Sequence, residues 1–389
     1  MPKTKQKPDK PRKDFPLSPA NNGQWCKKIR GRIHYFGVWG NPSAAEVEYL
    51  RVREYLQAGR LPPTTTADGI RMNDLCNRFL NAKRAMVKSQ ELSIRSFHDY
   101  HAGCAEIIEH FGKERLVEDC KPEDFEEYRL KASKGRGLYA IGKMVTLTRM
   151  VFGFAYDNEL IEKPIRFGQL FARPSKKSMR LHRARKQGKH GLRMFEAHEI
   201  QKLIGAASPA LKAMILLAAN GGLGNSDLAN LPKSAIRGNW LRFPRVKTGI
   251  DRRIPLWPET KQALTEAIEQ RPRAKDPDDS DLCFITKYGH RWVRLGPSGT
   301  SNIDKITDAF NKLLSALNLK RDGLGFYALR HTFETISGGC GDQVATSAIM
   351  GHTDNSMSAA YRETVEDERL LKAVNHVHAW LFPVAATAE

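Results

Sequence analysis

The sequence predicts an α+β protein, mostly helical, in which a small β-plus-helix module and a helical domain precede a C-terminal domain that carries one β-hairpin. Three observations predict this. Apolar residues recur at helical spacing over most of 71–160 and again from 195 to 381. β-rich runs are confined to two stretches, 24–39 and 240–256, each interrupted by a turn. Segments rich in Pro/Thr/Gly or in Lys/Arg separate the blocks.

In chain order, residues 1–20 are rich in Lys, Arg and Pro and poor in apolar residues, which predicts a disordered basic arm. Residues 21–60 form the first module: two β-rich runs flank Arg30-Gly31, and Asn41-Pro42-Ser43 starts a helix through Val47, Leu50, Val52 and Leu56. Lys27, Lys28, Arg30 and Arg32 fringe this hairpin among Trp25, Tyr35 and Trp39, as a nucleic-acid surface would be built. Trp25 and Trp39 serve equally well as the mini-core. Residues 61–70 read as a linker. Residues 71–165 hold four or five helices, whose bases Lys131, Lys134, Arg136 and Lys143 could face a polyanion or simply solvent. Residues 166–194 read as a basic interdomain linker; Lys176, Lys177, Arg180, Arg183, Arg185 and Lys186 lie in a stretch, 173–193, without one acid, and this favours phosphate contact.

The C-terminal domain spans 195–383. Leu211, Met214, Ile215 and Ala218 give a helical stripe that Gly221-Gly222 stops, and Ser226 is placed to cap the next helix. Asp227 then serves as a first-turn acid or as a carboxylate that orients a cation or His331. Residues 240–256 have strand character broken at Lys247-Thr248-Gly249, a hairpin with Lys247 at its tip. Ile303, Ile306, Phe310, Leu313, Leu314 and Leu317 are core, and Leu370, Val374, Val377 and Leu381 make an amphipathic tail helix.

Charge points to a nucleic-acid partner. The chain has 63 Lys+Arg against 43 Asp+Glu, a net charge of +20, which favours a polyanion and a salt-sensitive affinity. No run is expected to span a membrane, and the basic start lacks the apolar centre of a signal peptide. The six cysteines show no C-x-x-C pair, so the expectation is a reduced cytoplasm and no metal site.

The densest chemistry lies in 327–361. Arg330 and His331 open one apolar-periodic run, Gly351-His352 closes a second, and Tyr361 follows. A guanidinium, imidazoles and a phenol together suit reaction at a phosphodiester without metal. The motifs Y-A-L-R-H-T-F at 327–333, I-M-G-H at 349–352 and Tyr361 at its spacing, with G-G-L-G-N-S-D-L at 221–228 and the lysine hairpin at 245–256, resemble the tyrosine recombinase (phage integrase) family.

The resemblance implies an arm-type DNA-binding module at 21–60, a core-binding domain at 71–165 and a catalytic domain at 195–383. Tyr361 would attack the scissile phosphate to give a 3′-phosphotyrosyl bond, Arg330, His331, His352 and Tyr327 would stabilise the phosphorane, and Lys247 would protonate the departing 5′ oxygen. It also implies double-stranded DNA with specific sites as partner, a homotetramer on two duplexes with the tail helix packed on a neighbour, packing in cis being the plain alternative, and no cofactor. Two positions depart from the family's pattern: Gly224 stands where the first catalytic arginine is expected, and Tyr327 where a histidine is expected. Arg245, Arg252 and Arg253 are the candidates to fill the gap. The rival expectation is a recombinase fold kept as a non-catalytic DNA-binding regulator or accessory factor.

Overall fold

The computed structural model describes residues 7–57, 69–296, 302–354, 356–357 and 361–383. They belong to two compact units, Met1–Ser175 and Lys176–Glu389. The α+β, mostly helical class expected from sequence is the one observed.

In the first unit, strands β1 (Ser18–Pro19), β2 (Gln24–Ile29) and β3 (Arg32–Val38) form an antiparallel sheet in that order. Arg30 and Gly31 both have positive φ, 48° and 82°, the backbone a two-residue hairpin needs to match strand twist. Helix α1 (Pro42–Gln57) covers one face, with Phe36 edge-on to Tyr49 and the Gly37 backbone close against Ala45. Trp25 is core, and the Trp39 indole N–H donates to the Gln24 carbonyl, so both tryptophans serve the module's own packing. The expected disordered arm at 1–20 is corrected in part. Phe15 and Leu17 are buried, Phe15 packs edge-on to Trp25, and β1 pairs with β2. Two apolar residues amid Lys and Pro suffice, because the sheet offers them a pocket. The linker expected at 61–70 lies largely outside the described residues, at 61–68.

The rest of this unit is helices α2 (Met72–Lys88), α3 (Ile94–Phe111), α4 (Pro122–Ser133) and α5 (Leu138–Asp157). Ser93 caps α3 by accepting from Ser96 N–H, and Pro122 opens α4, where Asp124 accepts from Lys121 N–H and binds Arg115. Contrary to expectation, α5 is long and apolar enough to cross a membrane, with half of its apolar window buried in the protein. The apolar run is that of a core helix: Val145, Val151 and Phe152 pack with Phe111, Phe125 and Phe171. Arg136 pairs with Glu106 and Lys143 with Asp99 at the surface, which favours the solvated-face alternative for these two bases.

In the second unit, 176–190, within the expected basic linker, is helix α6 (Lys176–His190), which buries none of its residues. Lys, Arg, Ala, Gln, Met and Leu are strong helix formers, so propensity alone builds it where no apolar stripe signals it. Helices α7 (Ala197–Ala206) and α8 (Pro209–Gly221) follow, with α8 buried from Ala213 to its end. Gly222 ends α8 at φ 64°, tight against Phe333 and Met350, a position that suits glycine for both reasons. The short helix α9 (Asn225–Ala229) is capped at Gly224, not at Ser226. Asp227 takes the capping work, its carboxylate accepting Gly224 N–H at 3.0 Å.

Strands β4 (Ile236–Arg237), β5 (Trp240–Arg242) and β6 (Arg253–Pro255) form a second antiparallel sheet, and the β5–β6 connection carries Lys247 at its tip as expected. Helix α10 (Pro258–Glu269) precedes the ribbon β7 (Val293–Leu295) and β8 (Asn302–Asp304). Helices α11 (Lys305–Ala316), α12 (Ala328–Gly338) and α13 (Gln343–Met350) complete the walls of the site. The tail helix Asp367–Leu381 packs within the chain, burying Leu370, Val374, Val377 and Leu381, and the Trp257 indole N–H donates to the Val374 carbonyl at 3.1 Å.

Candidate active site

The site is built where three sequence-distant segments meet: the 222–227 turn, the Lys247 hairpin and the α12–α13 pair. Arg330, in the first turn of α12, is 3% exposed. Its Nη1–H donates to the Gly222 carbonyl, and Nη2–H groups donate to the Met350 carbonyl at 2.8 Å and to His352 Nε2 at 2.9 Å. Arg330 thus clamps the end of α8 to the end of α13. Because a guanidinium only donates, His352 Nε2 is the acceptor and its ring proton sits on Nδ1, 3.5 Å from Glu334 Oε2. The resemblance implies that His352 helps stabilise the phosphorane; in this geometry its two nitrogens face Arg330 and Glu334.

Burial and neighbouring guanidinium groups disfavour protonation of both histidines. Burial is the main cause of the lowered His352 pKa; Glu334 opposes it, and Arg330 and Arg245 add to it. Burial again lowers the His331 pKa, with Arg193 and Arg330 adding to it and Glu334 opposing it. A histidine crowded by guanidinium groups resists a further positive charge.

The hairpin is tied to this cluster at one point. Arg245 Nη1 and Thr248 Oγ1 both donate to the Gly351 carbonyl, at 3.1 and 3.2 Å. The residue before His352 therefore anchors the turn that presents Lys247, which is itself exposed. Asp227 is 6% exposed and faces Arg252 across two oxygens, at 3.3 Å to Nη1 and 3.2 Å to Nη2. It orients a cation, Arg252, and it is also the first-turn acid of α9 that accepts the Gly224 N–H, so both of its expected roles are filled. Arg252 is 1% exposed, and its Nε donates to the Phe243 carbonyl at 3.1 Å.

These contacts sort the three cations proposed for the Gly224 gap. Arg253 is turned away, pairing with Asp367 and lying over the Trp240 ring. Arg252 is buried on Asp227, whereas Arg245 remains at the rim. A Cβ at Gly224 would meet only Tyr327 at 3.5 Å and Asp227 at 3.7 Å, ordinary contacts, and the backbone there is extended. The turn would accept a Cβ without strain, so the backbone there does not demand glycine.

Tyr327 is exposed, and its ring stands edge-on to His331 with centroids 5.4 Å apart. Both line a cleft of about 430 Å³, together with Arg193, Asn225, Thr307 and Asn311. Tyr361 is 80% exposed, and among the described residues it makes no hydrogen bond or ring contact with Arg330, His331 or His352. Two residues at the site had no role in the sequence reading. Arg193 was only the last base of the acid-free run, and Glu334 one more acid in an amphipathic helix; the sole prior signal for Glu334 was its four-residue spacing from Arg330. Away from this site, Lys28, Arg30 and Arg32 are exposed along the first sheet beside the open apolar positions Ile33, Tyr35 and Val38, while Lys27 lies over the Tyr49 ring.

Residues 193–368 match the model of the phage integrase family. Among solved structures, the chain is similar to a lambda integrase tetramer bound to a Holliday junction, at 17% identity and a TM-score of 0.55, covering 91% of this chain and 99% of that one. It is similar to a lambda integrase(75–356) dimer bound to a COC′ core site, at 16% identity and 0.55, covering 77% and 100%. It is also similar to the Tn1549 transposon integrase (residues 82–397) in complex with circular intermediate DNA, at 16% and 0.51, covering 76% and 96%. At such identities the likeness carries the fold. No curated protein matches the chain.

Proposed function

Taking as premise that this chain belongs, through residues 193–368, to the phage integrase family of tyrosine recombinases, we propose that it is a site-specific DNA recombinase that breaks and rejoins duplex DNA through a 3′-phosphotyrosyl intermediate. The observation that carries this reading is the convergence on one carbonyl, Gly351: Arg245 and Thr248 of the lysine hairpin bind it, and its neighbour His352 receives a hydrogen bond from Arg330. Three separate motifs are thereby held as one unit, which is how a preorganised phosphate site is made.

In the proposed reaction the Tyr361 oxygen attacks the scissile phosphorus, the bond to the 5′ oxygen breaks, and Lys247 gives that oxygen a proton. Arg330, His331, His352 and Tyr327 surround the phosphate, and Asp227 holds Arg252 beneath them. Attack by a 5′ hydroxyl from a partner duplex reverses the step, so bond energy is conserved and neither nucleotide nor metal is consumed. Lys27, Lys28, Arg30 and Arg32 would hold one DNA segment and the bases of α6 another. Assembly as a tetramer on two duplexes, in the cytoplasm, completes the reading.

One observation favours the rival, a recombinase fold kept for DNA binding: Arg330 turns its donors onto the protein's own carbonyls and His352, and nothing at 224 adds a second guanidinium. The two readings separate on a nicked suicide duplex built on sequences that the protein retains from a random-sequence pool. A covalent protein–DNA adduct that Tyr361→Phe abolishes is expected. Tight, sequence-specific binding with no adduct under any condition would establish the rival instead.

A further inference from the structure

The gap at Gly224 has a direction. A Cβ there would stand 3.5 Å from the Tyr327 ring and 3.7 Å from the Asp227 carboxylate. Tyr327 stands edge-on to His331, and these two rings line the 430 Å³ cleft that Arg193 also lines. Arg245, by contrast, approaches from the Gly351 side and has one Nη committed to that carbonyl. The cation that lines a cleft with Tyr327, the ring nearest to Gly224, is thus Arg193.

We infer that Arg193 is a catalytic residue of this recombinase, supplying to the scissile phosphate the second guanidinium that Gly224 cannot. The inference rests on the function proposed above and names a residue that function left out.

Four further features agree. Arg193 is exposed, and among the described residues no carboxylate pairs with its guanidinium, so its donors are available to a ligand. Gly323 lies against it, at 3.4 Å from Nε to where a Cβ would stand; the small residue leaves the guanidinium room beside the 320–327 loop. Arg193 lies near enough to His331 to disfavour protonation of that ring, second only to burial. Asn225, in the same cleft, is held by its amide to Asp304 at 2.8 Å and Thr307 at 3.0 Å, so that part of the wall is fixed. A planar fork entering such a cleft can take two non-bridging oxygens at once.

The test replaces the charge on the phosphate as well as the charge on the protein. On the selected suicide duplex with a normal scissile phosphate, Arg193→Ala should lower the rate of adduct formation by about 10²-fold or more, with DNA affinity changed little and Arg193→Lys recovering part of the loss. On the same duplex with a methylphosphonate at the scissile position, one anionic oxygen is already gone. There the wild type and Arg193→Ala should differ by less than about tenfold, a convergence that a merely structural role for Arg193 would not produce. Arg245→Ala is measured alongside. A large loss at Arg245 with a mild one at Arg193, or equal losses on both substrates, overturns the assignment while leaving the recombinase reading intact. No adduct from the wild type on the phosphate duplex overturns both.

Discussion

At the scale of single residues, neighbours in sequence have unlike fates. Arg252 and Arg253 are indistinguishable by type and adjacent on one strand edge, yet Arg252 is sealed on Asp227 while Arg253 meets Asp367 at the surface, where the two side chains are 28% and 50% exposed. Removing one partner of a buried pair leaves the other charge uncompensated, a loss of about 3–5 kcal/mol. An exposed pair contributes roughly 0–1 kcal/mol. Arg252→Ala should therefore lower the urea midpoint sharply and Arg253→Ala hardly at all; similar midpoints for both variants would remove the buried-pair account of Asp227. The sequence announced Arg330, His352, Lys247 and Asp227 through motif spacing. It could not announce which of three hairpin arginines lies inward, because alternation fails in an irregular turn. Arg193 was hidden for another reason: it ends a charge run far from every motif, and only the folded chain brings it beside Gly323, Leu324 and Gly325 in the cleft of His331.

At the scale of elements, α6 is the instructive case. Lys177, Arg180, Arg183, Lys186 and Lys189 recur every third residue along it, so like charges stand one turn apart and work against the helix. Phosphates laid along that row would relieve the repulsion. Replacing Lys177, Arg180, Lys186 and Lys189 with Ala should flatten the salt dependence of DNA binding by roughly 0.9 of a log–log unit per lost contact. An unchanged slope would make α6 a solvated helix with no part in binding. The helix escaped the sequence reading because its signal is propensity without periodicity, and a charge run looks the same in a linker as in a helix. Both hairpins were legible for the opposite reason: Arg30-Gly31 and Lys247-Thr248-Gly249 are turn chemistry set between β-rich runs. Residues 15–19 were not, since the burial of Phe15 and Leu17 depends on a sheet formed by residues that follow them.

At the scale of the whole molecule, the two units keep separate apolar interiors. Phe111, Phe125, Phe152 and Phe171 belong to the core of the helical part of the first, and Leu216, Leu217, Phe310 and Phe333 to the core of the second. Every residue assigned here to phosphate chemistry, Arg193 included, lies in the second unit, as does α6. Cores that share no residues unfold as distinct cooperative steps, for which a single two-state description fails. Calorimetry of the full chain should accordingly resolve at least two transitions, and residues 176–389 expressed alone should reproduce one of them with its midpoint shifted by no more than a few degrees. The same fragment should bind DNA with a shallower salt slope than the full chain, because the bases of the first sheet, Lys28, Arg30 and Arg32, are then missing. A single transition for the full chain, or a fragment that does not fold, would show that the second unit depends on the first for its stability, and the site would then have to be understood as a property of the intact protein.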